Sequence, residues 1–177
     1  MSRKTNPLQL LDAQSNVLPF NPADLKMRIE YVGNTVRCYG KSRPGAAESA
    51  AAWRIEKEIV NASGNTISID YAGGLFNYDN IWDSGASLVI SGATQANPCV
   101  VTVSSTTTLS NDDIIYIDSV GGMTELNSEY FLITVLDGTT VSLQNVDTGV
   151  DVNSGAYGAY TAGGVLYRPD FCNYSFS

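Results

Sequence analysis

The sequence predicts an all-β chain: two small antiparallel β modules of sandwich or barrel type behind an extended N-terminal arm. Apolar and polar residues alternate over short stretches at the strand period. Glycine- and asparagine-rich turns separate these stretches at close intervals. No stretch carries the apolar period of a helix of ordinary length. Composition agrees. Hydrophobic residues make up 44% of the 177, enough for a packed core, while charged residues are only 16%. Polarity comes instead from Ser, Thr, Asn and Gly, which favour turns and loops over helix interiors.

Residues 1–22 form the arm. Arg3 and Lys4 open it, and Pro7, Pro19 and Pro22 punctuate it. Leu8, Leu10, Leu11, Val17, Leu18 and Phe20 are many apolar residues for a free tail, so the arm is expected to be pinned to the body or to a neighbouring subunit.

The first module is expected over residues 23–90. Met27, Ile29 and Tyr31 alternate with Arg28 and Glu30. Gly33-Asn34 suits a two-residue hairpin turn, with Gly at the positive φ of type II′. That turn would pair Ile29 with Cys38, Tyr31 with Val36 and Glu30 with Arg37. The alanine-rich stretch 46–52 allows one helical turn. Trp53, Ile55 and Ile59 share a strand face, with Arg54, Glu56 and Glu58 opposite. Asn61-Ala62-Ser63-Gly64-Asn65 is a five-residue loop, and Ile67, Ile69 and Tyr71 line one face of the return strand. Residues 87–90 are expected to close this module.

The second module is expected over 91–168, with Asn97-Pro98 in the boundary turn. Strands are read at 99–104, 114–117, 130–136 and 140–146, with one or two more between Tyr157 and Tyr167. Around Asp137-Gly138, a three-residue loop sets Val135 against Val141 and Ile133 against Leu143. A two-residue loop would set Val135 against Thr140, so apolar matching favours the longer one, with Gly138 at an unusual φ. Residues 169–177 form a short aromatic tail carrying Phe171, Tyr174 and Phe176.

Charge excludes some functions. The net charge is −8, and nine of the ten basic residues lie at or before Lys57, leaving only Arg168 beyond. An acidic surface repels phosphate, so nucleic acid is not an expected partner. No apolar run reaches the length of a membrane span and no signal-peptide pattern opens the chain. Cys38, Cys99 and Cys172 are odd in number and contain no C-x-x-C, which argues against a disulfide framework.

Catalytic and metal chemistry is equally thin. With no histidine, Ser-His-Asp and Cys-His arrangements are impossible. Glu56 and Glu58 share a strand face and read as a solvated surface rather than an acid/base pair. Asp147, Asp151 and Asn153 in one Gly-rich loop carry oxygens suited to calcium, but they do not match the EF-hand pattern and read better as turn residues. Gly-rich stretches at 71–74 and 161–164 lack the Lys-Ser/Thr and helix of a phosphate cradle. Trp53, Tyr71, Phe76 and Trp82 read as core. Tyr157, Tyr160, Tyr167 and Tyr174 are the candidates for exposed contact with sugar or protein.

Two stretches resemble known modules. Tyr39-Gly40-Lys41-Ser42-Arg43-Pro44-Gly45, Ala51-Ala52-Trp53-Arg54-Ile55-Glu56-Lys57, Ile69-Asp70-Tyr71-Ala72-Gly73-Gly74 and Asp79-Asn80-Ile81-Trp82-Asp83-Ser84 follow in order. They resemble a small Trp-containing β module common in structural proteins of tailed bacteriophages. Ser42, Gly73 and Gly85 depart from its usual Ala, Asp and Arg. Then Asn97-Pro98-Cys99-Val100-Val101-Thr102, Asn111-Asp112-Asp113-Ile114-Ile115-Tyr116-Ile117, Gly121-Gly122-Met123-Thr124-Glu125-Leu126-Asn127 and Ala159-Tyr160-Thr161-Ala162-Gly163-Gly164 resemble a phage β-barrel module. That module is labelled after the first catalytic-cysteine half-domain of ubiquitin-activating enzyme, a fold likeness without catalytic implication.

The resemblance implies a non-enzymatic virion protein of the tail or head-tail neck, made in the host cytoplasm and without cofactor. Its partners would be further virion proteins and copies of itself. Decoration of the capsid surface, or binding of a host receptor or glycan, is the alternative. The expected intersubunit contacts are Arg3, Lys4, Leu8, Leu10, Leu11 and Phe20 in the arm and Phe171, Tyr174 and Phe176 in the tail.

Overall fold

A computed structural model describes residues 26–74, 78, 80–83, 87–174 and 176, with the backbone of residues 10, 11, 17 and 18. The architecture is all-β. Strands β1 (Leu10–Leu11) and β2 (Val17–Leu18) pair only with each other. An antiparallel sheet follows in the order β3 (Lys26–Val32), β4 (Val36–Ser42), β5 (Ala51–Val60), β6 (Thr66–Tyr71), with β7 (Asn80–Ile81) also on β5. The remaining strands close a six-stranded antiparallel barrel. They are β8 (Ser87–Ala93), β9 (Val100–Val103), β10 (Ile114–Gly121), β11 (Glu129–Val135), β12 (Thr140–Asn145) and β13 (Ala162–Tyr167).

Strand alternation divides the apolar residues between two cores. Ile115 and Ile117 of β10, Phe131 and Ile133 of β11 and Val141 and Leu143 of β12 fill the barrel. Their neighbours Ile114, Tyr130 and Leu132 point outward from the same wall. There they meet the inner face of the sheet, where Val32, Cys38, Trp53, Ile55 and Ala72 build the second core. The barrel wall is therefore apolar on both sides where the sheet covers it.

The β11–β12 hairpin has the expected register, with Val135 opposite Val141 and Ile133 opposite Leu143. Its loop does not rely on Gly138, which has no positive φ. The Asp137 carboxylate accepts the Thr139 and Thr140 N–H groups and the Thr139 hydroxyl instead. These bonds hold the carboxyl below the usual aspartate range. The five-residue loop after β5 is also as expected, since Val60 pairs with Thr66.

Other expectations are corrected. The β3–β4 loop has three residues, so Val32 faces Val36, Tyr31 faces Arg37 and Glu30 faces Cys38. The one-residue slip turns Met27, Ile29 and Tyr31 outward, at 57%, 38% and 64% exposure. Space on the inner face explains it. A Cβ on Gly40 would lie 2.3 Å from the Trp82 ring and 3.0 Å from that of Trp53. Cys38, Gly40 and Ser42 therefore turn toward the indoles and the larger residues face away. Residues 46–50 form turns rather than a helical turn. Residues 87–90 belong to β8 in the barrel, where Val89 pairs with Val165 and Leu88 with Leu166. The passage between modules thus falls between Asp83 and Ser87, and Asn97-Pro98 lies in the loop between β8 and β9 of the barrel.

Candidate interaction surfaces

Four features bear on what the body can touch: the tail, a loop clamp, a cleft and the outer face of the sheet.

The tail has an intrachain use. A single 3₁₀ turn, Asp170–Cys172, follows β13 and carries the chain into the junction of sheet and barrel. Phe171 is only 4% exposed and stacks on Trp82 at 4.5 Å between ring centroids, and Trp82 in turn packs on Trp53 at 5.7 Å. The Asn173 amide mimics a strand partner: its oxygen accepts the Ile114 N–H at 2.7 Å and its nitrogen donates to the Ile114 carbonyl at 2.8 Å. The Tyr174 hydroxyl donates to the Ile81 carbonyl and accepts the Ile81 N–H, both at 2.8 Å. Phe176 bridges to Ala72, under the Lys57 ammonium at 4.3 Å. Phe171 has almost no surface left for a neighbouring subunit, whereas Tyr174 and Phe176 keep part of theirs. Cys172 Sγ lies 3.6 Å from Cys38 Sγ, so two of the three thiols are neighbours. Burial pushes the Cys172 thiol up.

The loop clamp joins the modules at the opposite end of β4. The Asp147 carboxylate, just past β12, accepts five hydrogen bonds from the β3–β4 loop. The Asn34 N–H, the Asn34 amide, the Thr35 N–H and the Thr35 hydroxyl supply them at 2.8–3.0 Å. Burial raises this carboxyl, but the bonds from Thr35 and Asn34 outweigh it and hold the group below the usual aspartate range. Gly33, at φ +72°, is required at this contact: a Cβ there would sit 2.6 Å from both Asp147 Oδ1 and Val146. The calcium candidates are thereby separated in function. Asp147 faces the sheet, Asp151 accepts from Gln144 and Asn153 accepts from Gly155. Among the described residues, no three His, Cys, Asp or Glu side chains gather as a metal group.

Arg168 has a local task. Its guanidinium forks onto Asp113, Nε to Oδ2 at 2.6 Å and Nη2 to Oδ1 at 3.1 Å, which fixes the end of β13 where the tail begins.

The cleft, of about 430 Å³, opens between sheet and barrel. Trp82, Tyr116, Tyr130 and Tyr167 supply aromatic surface, and Glu30, Asp83 and Asp118 supply carboxylates. Burial raises the Glu30 carboxyl above the usual range; Arg28 opposes this, while Glu48 and Asp83 add to it. Of the tyrosines expected to be exposed, only Tyr167 lines this cleft. Tyr157 and Tyr160 pack against the barrel core, with the Tyr160 hydroxyl on the Ile90 and Gly163 carbonyls.

The outer face of the sheet has a paired charged spine and apolar borders. Register sets Met27 beside Lys41 and Arg54, Ile29 beside Tyr39, Glu56 and Tyr71, and Tyr31 beside Arg37, Glu58 and Ile69. Glu58 does not point freely to solvent, as the sequence suggested. It is 8% exposed and accepts from Thr66, Tyr39 and Arg37. The hydroxyls of Thr66 and Tyr39 hold its carboxyl below the usual range. Arg54 and Lys41 reach Glu56. On the borders, Ile67 and Ile69 are 66% and 51% exposed, opposite Met27 and Tyr31.

Of the arm residues, Leu10 and Leu11 lie in β1 by backbone, while Arg3, Lys4, Leu8 and Phe20 lie outside the described residues, as does Phe76. The chain matches no protein-family profile and no curated protein sequence.

Proposed function

We propose that this chain is a non-enzymatic structural protein of a tailed-bacteriophage particle, of the tail or the head-tail neck, which assembles with itself and with further virion proteins. The resemblance of its two halves to phage β modules supplies the class. One structural observation supports the assembly role: sheet and barrel share a core and are clamped at Asp147, so the body is a single block. An outer face with apolar borders remains open on that block, and the arm joins it at the edge strand β3. A block with one connector and one open face is suited to repeated docking around a ring or shell, where many weak contacts add.

The test is genetic and structural. A variant lacking residues 1–22 is expected to fold, because the described members of both cores lie between Val32 and Phe176. It is expected to fail to enter particles. Particles with normal occupancy of the truncated chain would sink the role of the arm, and absence of the intact chain from purified particles would sink the virion reading.

The cleft supports a second reading, that of a decoration or host-surface module that binds glycan. Its aromatic surface can stack on sugar rings while Glu30, Asp83 and Asp118 accept hydroxyl hydrogen bonds. Glycan binding by the isolated protein, lost in Tyr167→Ala, would favour it.

A further inference from the structure

We propose that the outer face of the first sheet is the acceptor for the N-terminal arm of a second copy of this chain. This rests on the reading of the chain as a self-assembling structural protein, and names the surface through which it does so.

The face is the main concentration of exposed apolar side chains among the described residues. Met27, Ile29 and Tyr31 border it on β3, and Ile67 and Ile69 border it on β6, all between 38% and 66% exposed. The two apolar borders lie on either side of the charged β4–β5 spine, and exposed apolar side chains clustered in this way on a folded body mark an interaction site. The charges between the borders already have partners: Arg37 and Tyr39 hold Glu58, and Arg54 and Lys41 hold Glu56. Such a spine asks for no charged ligand, and it disfavours a strongly charged one. The face fits a segment of low charge whose apolar side chains meet the two borders.

The arm is that segment. Between Thr5 and Leu25 its only charged residues are Asp12 and Asp24, among Leu8, Leu10, Leu11, Val17, Leu18 and Phe20. Leu10 pairs with Leu18 and Leu11 with Val17, and these strands join neither larger sheet. A two-stranded hairpin is marginal in water by itself and needs an apolar layer beneath it. Seven residues, 19–25, separate the hairpin from β3. Extended, they span roughly 25 Å at about 3.3 Å per residue, against roughly 15 Å for the width of four strands. The hairpin can therefore reach across a neighbour. A linker of this length lets the hairpin meet its own face or a neighbour's, and the mixing experiment below separates the two. Donor arm and acceptor face are different surfaces, so one-way donation propagates into a ring or a filament, while reciprocal exchange closes a two-fold dimer.

A complementation experiment tests it. One variant lacks residues 1–22 and keeps the face. The other keeps the arm and carries Met27→Lys with Ile69→Lys; Ile67→Lys with Tyr31→Lys serves as a second version, and circular dichroism checks each fold. In sedimentation velocity, the intact chain is expected to associate with rising concentration, and to do so equally at high salt. Each variant alone is expected to be a monomer, and the two mixed are expected to stop at a one-to-one pair. An intact chain that stays monomeric, a truncated chain that associates as the intact one does, or a mixture that does not pair overturns the proposal. Presence in particles of a chain whose arm and face are dispensable removes this pairing alone. Pairing by a protein absent from particles removes the virion reading alone.

Discussion

At the scale of single residues, the body is held by side chains that serve two modules at once. Asp147 is the clearest. Replacing it with Ala leaves the Asn34 and Thr35 amides without their acceptor. Asn34 is exposed and Thr35 half-buried, so water replaces part of the loss and the cost is about 1 kcal/mol; Asp147→Ala is expected to lower the melting temperature by a few degrees. The effect depends on pH. The folded carboxyl lies below its ordinary value. Its stabilising contribution is therefore complete above the unfolded aspartate pKa of about 3.9, and it fades as pH falls through the folded value. The gap between wild type and variant, read by thermal melts from neutral pH into acid, is expected to close at the acid end. A gap that persists unchanged there would mean that the carboxylate charge is not what the loop reads.

At the scale of elements, the tail behaves as a strand-like filler. Removing residues 170–177 takes Phe171 from Trp82, Asn173 from Ile114 and Tyr174 from Ile81. Both tryptophans belong to the second core and none to the barrel. The truncated chain is expected to show tryptophan emission at longer wavelength while the barrel keeps its far-ultraviolet signal. Unchanged emission would contradict the role of the tail. The sequence reveals some of these elements and hides others for physical reasons. The β11–β12 register is legible because both strands present apolar residues to a closed interior, and only one loop length matches them. The β3–β4 register is not legible, because its most apolar alternation faces outward and the deciding space around Gly40 comes from Trp82, distant in sequence. The strand 87–90 reads correctly as a strand but not as a barrel member, since pairing partners 165–167 lie far along the chain. The aromatics at Phe171, Tyr174 and Phe176 stand out in the sequence. Nothing local says that their partners are in the same molecule. The Asn34–Asp147 contact leaves no signal beyond a turn residue and a loop aspartate.

At the scale of the whole molecule, the shared core argues for one unfolding event. The sheet cannot keep Trp53 and Trp82 buried without the barrel wall at Ile114 and Leu132. Thermal unfolding followed by tryptophan fluorescence and by far-ultraviolet circular dichroism is expected to give coincident curves. Two separated transitions would show that the modules are independent and that the junction contributes little. The same unity leaves the outer face of the sheet uncovered by the barrel.

The position of Phe171 and Cys172 has a consequence for synthesis. The sheet is made first by the ribosome, yet its core is completed by residues 134 positions beyond Cys38. Domains emerging early ordinarily fold as they leave the tunnel. Here the inner face of the early strands gains its full cover only after the barrel wall and the tail have been made. On the proposed pairing, the strands that bear the acceptor face would be fully backed only once Phe171 and Cys172 have been made.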